Sequence, residues 1–263
     1  MYENRNIYYI PETNPENDRI KHLLDIFYPH NKQELSPMII FVHGGTWMNG
    51  SKEIYSTFGK NLAAKGIVSV ILNYRLGDIV NFKKMASDCA SAVKWAYRNG
   101  HEFGGNKNKI FMCGHSAGGH LSALIALGHE YFDQLNMDNP IKGCILIDAF
   151  GLNIGTFIKD HGALYLQYIE KVFTKDPEIW KQASPIEFIS QRKIPFMILI
   201  GSKTYPILTT DNEIFFEKLK KSNPDVSLEI VDGKTHVEMI SQFDNKNILL
   251  YDKLISFVMP RLK

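Results

Sequence analysis

The stretch Lys109-Ile-Phe-Met-Cys-Gly-His-Ser-Ala-Gly-Gly-His120 decides the fold of this chain. Its first half contains the apolar run Ile110–Cys113, which is typical of a buried strand. Its second half, Gly114–Gly118, fits the pattern G-x-S-x-G and leads into the helical pattern Leu121–Leu127. A sharp turn from strand to helix holds its central residue, Ser116, in a strained backbone conformation, and the glycines let neighbouring chain approach closely. We therefore expect the serine oxygen at a helix N-terminus, where developing negative charge is favoured.

Seven further apolar or β-branched runs predict strands, and most of the later ones are continuous, as in strands covered on both faces. Helical patterns lie between them, over Phe82–Asn99, after the helix start Asp176-Pro177-Glu178, and from a capping box at Thr210 and Glu213 to Lys221. This alternation predicts an α/β fold, with about eight mostly parallel strands and helices on both faces of the sheet. The seven runs are Asn6–Ile10, Ile20–Tyr28, Met38–Val42, Ile67–Asn73, Gly143–Asp148, Phe196–Ile200 and Val226–Val231.

One stretch interrupts the alternation. Residues 150–190 contain no convincing strand, and we predict that they form a helical lid inserted into a single domain of residues 1–263. The alternative is that the aromatic side chains of this stretch simply fill a small core of its own. Those side chains are Phe157, Tyr165, Tyr168, Phe173 and Trp180.

The composition excludes several classes of partner. The chain has 263 residues, which suits one large α/β domain. Its 30 basic and 28 acidic side chains leave a net charge of only +2, so nothing favours nucleic acid or an anionic membrane as a partner. No apolar run approaches the roughly 18 residues of a membrane span, and the N-terminus has no signal-peptide pattern. Because Cys89, Cys113 and Cys144 are isolated and lack a zinc-site spacing, we expect a cytoplasmic protein without a bound metal.

A second motif, His43-Gly-Gly-Thr-Trp47, directly follows the third predicted strand. Two glycines at a strand end leave backbone N–H groups free to point into a site. Together with the N–H of Ala117, those of Gly44 and Gly45 are expected to form an oxyanion hole, where each donor typically contributes about 3 kcal/mol to transition-state stabilisation. We interpret His43 as a structural residue of this loop. Trp47 either lines a substrate pocket or packs within the fold.

A candidate general base lies just after the last predicted strand. His236 stands in the loop Asp232-Gly-Lys-Thr-His-Val237, from which its ring can reach over Ser116. An imidazole ordinarily titrates near neutral pH, so it can both accept and return a proton.

Together these motifs resemble the α/β-hydrolase superfamily, and specifically its esterase branch with HGG-type oxyanion loops. That branch includes hormone-sensitive-lipase-like carboxylesterases and kynurenine-formamidase-like enzymes. The resemblance covers nearly the whole chain and implies an α/β-hydrolase fold, with Ser116 as nucleophile and His236 as base. It implies no metal or organic cofactor. Further matching segments are Leu24–Pro29, Asn73–Arg75, Asp88 with Ala92 and Trp95, and Ser184-Pro185.

The acid of the expected triad departs from the family pattern. Members of the family usually carry an aspartate after the seventh strand, where this chain has Thr204, and a threonine cannot stabilise an imidazolium as a carboxylate does. Asp148 closes an apolar strand, where an unpaired charge is costly, and some α/β-hydrolases carry their acid there. Asp211 is also in chain order, but first-turn charge on a helix explains it. We therefore favour Asp148 over Asp211, with a weakened Ser–His dyad as a further alternative.

The resemblance implies a carboxylesterase-type serine hydrolase that acts on small-molecule esters with small to medium acyl groups, through an acyl-enzyme intermediate. The nearest alternative is a formamidase or amidase with the same mechanism. A different class is a ligand-binding protein on a hydrolase fold whose catalysis has weakened, and Thr204 is the best argument for it. A dehalogenase or epoxide hydrolase would need a carboxylate where Ser116 stands. The sequence leaves open whether the chain forms a homodimer.

Overall fold

All the predicted strands join one sheet. A computed structural model describes residues 1–30 and 34–259, except for the side chains of residues 160–168. Over that range the chain forms β1 (Tyr2–Tyr8), β2 (Leu23–Tyr28), β3 (Ser36–Val42), β4 (Val68–Leu72), β5 (Gly105–His115), β6 (Ile141–Ile147), β7 (Phe196–Gly201) and β8 (Val226–Val231). The strand order is β1-β2-β4-β3-β5-β6-β7-β8, and only β2 pairs antiparallel with its neighbours, β1 and β4. The prediction of a mostly parallel α/β sheet is confirmed.

Helices cover both faces of this sheet. Strand β3 shows why both faces need a cover. Its consecutive side chains Ile39 and Ile40 point to opposite faces, enter different hydrophobic clusters and are both fully buried. Helices α2, α3 and α7 pack on the first face, and α1, α8 and α9 on the second. The helices are α1 (Ser56–Ala64), α2 (Phe82–Asn99), α3 (Ala117–Leu127), α4 (Glu130–Asp133), α5 (Ile154–Phe173), α6 (Pro177–Gln182), α7 (Pro206–Ser222), α8 (Glu238–Ser241) and α9 (Leu249–Val258). Within the described residues no helix is long and apolar enough to cross a bilayer.

Several predicted boundaries are wrong, and two of these errors have a clear physical cause. The first strand begins at Tyr2 rather than Asn6, because it is an edge strand with a largely exposed, polar sequence that gives little apolar signal. The helix predicted to start at a capping box on Thr210 begins at Pro206 instead, where proline occupies the first turn. Proline has no N–H to leave unpaired there and its fixed φ suits a helix start. In contrast, α2 has its predicted bounds, and Asp176 caps α6 as predicted.

The segment between β6 and β7 contains α5 and α6, where the sequence predicts a helical insertion, and the role of this segment as a lid stays a prediction. Its two ends meet, because the N–H of Ile154 donates to Ser184 Oγ at 2.9 Å and the N–H of Ile186 donates to the carbonyl of Leu152 at 3.1 Å. Phe157 and Phe173 are buried in the main core rather than in a separate one. The side chains of Tyr165 and Tyr168 lie outside the described residues.

Helix α3 begins in direct contact with the end of β3. An added Cβ at Gly118, the second residue of α3, would lie 2.1 Å from the carbonyl oxygen of Val42 and 2.5 Å from that of His43. Both atoms belong to backbone, which cannot rotate away as a side chain can. The glycine therefore sets how closely the serine turn and the His43–Trp47 loop approach each other.

We predict that Gly118→Ala lowers the free energy of unfolding by about 1–3 kcal/mol or more, because the new methyl group overpacks this contact. Urea unfolding followed by circular dichroism measures the change. Gly155→Ala is the matched control, since its Cβ would meet only Asn153 Oδ1, at 3.6 Å, in the first turn of α5. Equal stability of the Gly118→Ala and Gly155→Ala proteins would contradict the prediction.

Candidate active site

Ser116 stands at the turn between β5 and α3, in the strained conformation that its motif predicts. Its φ is 55° and its ψ is −125°, and the neighbouring backbone fixes this geometry. The N–H of Ser116 donates to the carbonyl of Ile147 at 3.1 Å, and its own carbonyl accepts from the N–H of Gly119 at 2.9 Å. The turn is thus bonded both to β6 and to the first turn of α3, which lets the structure sustain a backbone strain of order 1–3 kcal/mol.

His236 joins Ser116 to Asp148 in a continuous hydrogen-bonded line. The Ser116 hydroxyl donates to His236 Nε2 at 3.0 Å, and His236 Nδ1–H donates to Asp148 Oδ2 at 3.1 Å. The sequence separations are 120 and 88 residues, so only the sheet brings the three side chains together. Asp148 lies just after β6 and is fully buried, whereas the His236 side chain keeps 16% of its surface exposed.

Three donors solvate the buried Asp148 carboxylate. In addition to His236, the N–H of Gly201 donates to Oδ1 at 2.9 Å and the Thr204 hydroxyl donates to Oδ2 at 2.5 Å. Thr204 occupies the position where the family pattern expects an acidic residue. Its hydroxyl therefore contacts the Asp148 carboxylate from that position. The backbone of Asp148 is left-handed, with a φ of 44°, and its N–H donates to the carbonyl of Leu199. The sequence did not predict this role for Thr204 or Gly201.

His115 also holds His236, in a contact that sequence reasoning missed. Its Nε2 donates to the carbonyl oxygen of His236 at 3.1 Å, and the two rings stack with centroids 4.6 Å apart. Burial, followed by repulsion from His236, lowers the pKa of His115 to about 3. His115 is therefore neutral and adds no charge beside the candidate base. The variable position of G-x-S-x-G carries no sequence signal for such a contact.

The predicted oxyanion loop lies directly against Ser116. A Cβ added to Gly44 would lie 3.0 Å from Ser116 Cβ. Ala117 is the first residue of α3, so the N–H of Ala117 has no acceptor within the helix. The role of Gly44, Gly45 and Ala117 as oxyanion donors stays a prediction.

The side chains beside this loop pack within the fold. Trp47 is only 2% exposed, and its indole N–H donates to His120 Nδ1 at 3.1 Å while its ring contacts Phe173 edge-on. Of the two roles predicted for Trp47, the structure favours packing. His43 is buried and stacks on Tyr74, and burial lowers its pKa to about 4, which suits the structural role predicted for it.

Asp211 does not contact His236, so the alternative acid is wrong. Its Oδ2 accepts the N–H of Leu152 at 2.8 Å, and the N–H groups of Gly151 and Asn153 also donate to its carboxylate. Burial raises the pKa of Asp211 to about 6 despite these hydrogen bonds. The carboxylate holds the start of the insertion and lines a cavity of about 290 Å³ between α5 and α7.

A serine on a strand-to-helix turn, with a carboxylate and a histidine after two further parallel strands of the same sheet, defines the α/β-hydrolase class. The sequence profile of the BD-FAE family matches residues 24–219, and the chain belongs to this family of α/β hydrolases.

Known proteins with similar sequences and structures agree with this class. Esterase LipC of Mycobacterium tuberculosis is 31% identical over 70% of this chain and 48% of LipC. Kynurenine formamidase of Danio rerio is 25% identical over 89% of this chain and 77% of that protein. The crystal structure of inhibited esterase B from Lactobacillus rhamnosis has the same fold, with a TM-score of 0.80 at 17% identity over 97% of this chain and 86% of its own. The chain spans about half the length of several curated relatives.

The raised pKa of Asp211 predicts a pH-dependent stability. In folded protein this group titrates near pH 6, whereas its ordinary value is 3.8. Between these values the folded state retains a proton that the unfolded chain has lost, so this group's contribution to stability falls as the pH rises through that window. Asp211→Asn removes the titration. We expect its free energy of unfolding, relative to wild type, to rise by about 1–2 kcal/mol from pH 4 to pH 7, a value discounted for partial exposure.

Urea unfolding at one-unit pH intervals from 4 to 8 measures this difference. Glu213→Gln serves as the control, because Glu213 is exposed on the same helix and its loss also removes one negative charge. A difference between Asp211→Asn and wild type that does not vary with pH would contradict the prediction.

Proposed function

We propose that this chain is a serine hydrolase that cleaves carboxylic esters of small to medium acyl groups through an acyl-enzyme. The observation that supports the proposal is the hydrogen-bonded line from Ser116 Oγ through His236 to Asp148, with links of 3.0 and 3.1 Å. The esterase relative supports the ester bond as the target. Thr204 replaces the usual acid, but the buried Asp148 carboxylate lies next to His236, so the histidine still has a carboxylate partner. This weakens the ligand-binding alternative.

In the first half of the reaction, Ser116 Oγ attacks the ester carbonyl carbon and its proton passes to His236 Nε2. The carbonyl oxygen becomes an oxyanion, which accepts hydrogen bonds from the N–H groups of Gly44, Gly45 and Ala117. The Asp148 carboxylate stabilises the positive charge on His236. When the tetrahedral intermediate collapses, His236 returns the proton to the departing alkoxide, and the alcohol leaves while the acyl group stays on Ser116.

In the second half, a water molecule replaces the alcohol. His236 takes a proton from the water as the hydroxide attacks the acyl carbon, and it returns that proton to Ser116 Oγ as the carboxylic acid departs. The enzyme ends in its starting state. We further propose that the reaction takes place in the cytoplasm, which the three buried free thiols of Cys89, Cys113 and Cys144 support.

A formamidase is the second candidate, because the kynurenine formamidase relative aligns with 89% of this chain. The mechanism is shared, and only the leaving group differs, since an amine needs the proton from His236 more than an alkoxide does. Comparison of kcat/KM for an N-formyl anilide and for the matching phenyl ester separates the two candidates.

We predict that Ser116→Ala and Asp148→Asn each lower kcat for p-nitrophenyl butyrate, by about 10⁴-fold. The first change removes the nucleophile and the second favours the wrong tautomer of His236. Glu213→Gln, on the exposed side of α7, is the control and should match wild type. An organophosphonate should label wild type with one equivalent on Ser116. Unchanged turnover in Ser116→Ala would overturn the proposed function.

We also predict that Thr204 is a positioning residue. Thr204→Val removes one donor to Asp148 and should lower kcat about tenfold with little change in KM, since an unsatisfied buried acceptor costs about 1–3 kcal/mol. Thr204→Ser keeps the hydroxyl and should recover most of the loss. A purely structural role would instead lower the unfolding free energy of both variants without this split between kcat and KM.

A further inference from the structure

A cavity of about 290 Å³ lies between the first turn of α5 and the start of α7. Its wall is mostly apolar, with the ring of Phe157 and the side chains of Ile207 and Ile214, and Asp211 is the one carboxylate among its lining residues. The remaining lining residues are Asn153, Thr156, Pro206 and Thr210.

Two contacts place this cavity beside the candidate active site. Phe157 stacks edge-on against Phe150, with centroids 4.6 Å apart, and the N–H of Phe150 donates to the carbonyl of Ser116 at 3.2 Å. On the other side, Pro206 follows Tyr205, whose ring centroid lies 5.7 Å from that of His236. These contacts bring the wall of the cavity next to residues that touch Ser116 and His236.

The charge of Asp211 is fixed in place but not neutralised. Its carboxylate accepts N–H groups from residues 151–153, which orient it without supplying a full positive charge. Among the side chains described, those of residues 1–30, 34–159 and 169–259, no lysine, arginine or histidine forms an ion pair with it. A neutral acceptor would hold the same three N–H groups without the cost of burying a charge. The retained charge therefore indicates a cationic partner that the chain itself does not provide.

We propose that this cavity binds an alkylammonium group carried by the ester substrate, with Asp211 as its counter-charge and the Phe157 ring as part of its wall. This inference rests on the proposed function and deepens it by naming a substrate class. A quaternary ammonium fits best, because its methyl groups match an apolar wall and it has no N–H left without a partner. Aromatic faces also attract such cations.

Two pairs of isosteric esters test this inference at pH 8, where Asp211 is ionised. The alcohol pair is butyrylcholine and 3,3-dimethylbutyl butyrate. The acyl pair is the p-nitrophenyl esters of 4-(trimethylammonio)butyrate and 5,5-dimethylhexanoate. Within each pair only the charge differs, so the ratio of kcat/KM for the cationic ester to that for the neutral ester measures recognition of the cation.

We expect wild type to prefer the cationic ester in one pair, and Asp211→Asn to lower that ratio about tenfold, as for the loss of one partly buried ion pair. The affected pair identifies the acyl or the alcohol side. Phe157→Leu should lower the same ratio by a smaller factor without a change in charge. Glu213→Gln is the control for the loss of one negative charge on α7.

A purely structural role of Asp211 would change both members of each pair equally, and the ratio would stay constant. That result, or a wild-type protein without cation preference in either pair, would overturn the inference. If Asp211→Asn does not fold, the wild-type and Phe157→Leu ratios still decide it. Ser116-dependent turnover of the neutral esters tests the proposed function separately, so failure of one is distinguishable from failure of the other.

Discussion

The arrangement of the site depends on one buried charge, the Asp148 carboxylate. Because this group is fully removed from water, it is tolerable only with several hydrogen-bond donors around it. Gly201 donates from the end of β7, Thr204 from the loop after β7, and His236 from the loop after β8. The carboxylate thus fixes three strand ends relative to one another. The serine turn is fixed to the same point, because His115 pairs with Ile147 in the sheet. These two residues directly precede Ser116 and Asp148.

The buried histidines His43, His115 and His120 show a second constraint, which is that burial opposes a positive charge on their imidazole rings. Burial lowers the pKa of His43 and His120 to about 4 and that of His115 to about 3, so these rings are neutral and act as hydrogen-bonding spacers. His236 differs from them because it is partly exposed and faces a carboxylate. The surroundings therefore oppose a positive charge on the His115 ring, which stacks against His236.

Much of the fold was predictable because the signals are local. Continuous apolar strands, an amphipathic α2 and a glycine-flanked serine each report on residues close in sequence. Asp148 was chosen because an unpaired carboxylate at an apolar strand end is costly, and the structure puts it 3.1 Å from His236, although its catalytic role stays a prediction. The contact of Thr204 with that carboxylate depends on the register of β6 and β7, which one sequence does not reveal. The start of β1 leaves little signal in the sequence because an edge strand needs few apolar residues.

The way in which the insertion is attached has a consequence for how this architecture diversifies. Its two ends are joined by backbone and Ser184 hydrogen bonds at the base, so the chain branches from the sheet and rejoins it at one point, while Phe157 and Phe173 pack the branch against the main core. A branch whose ends are already adjacent can be lengthened or exchanged at small entropic cost. The strand ends that carry Ser116, Asp148 and His236 can then keep their arrangement while the length of the branch changes.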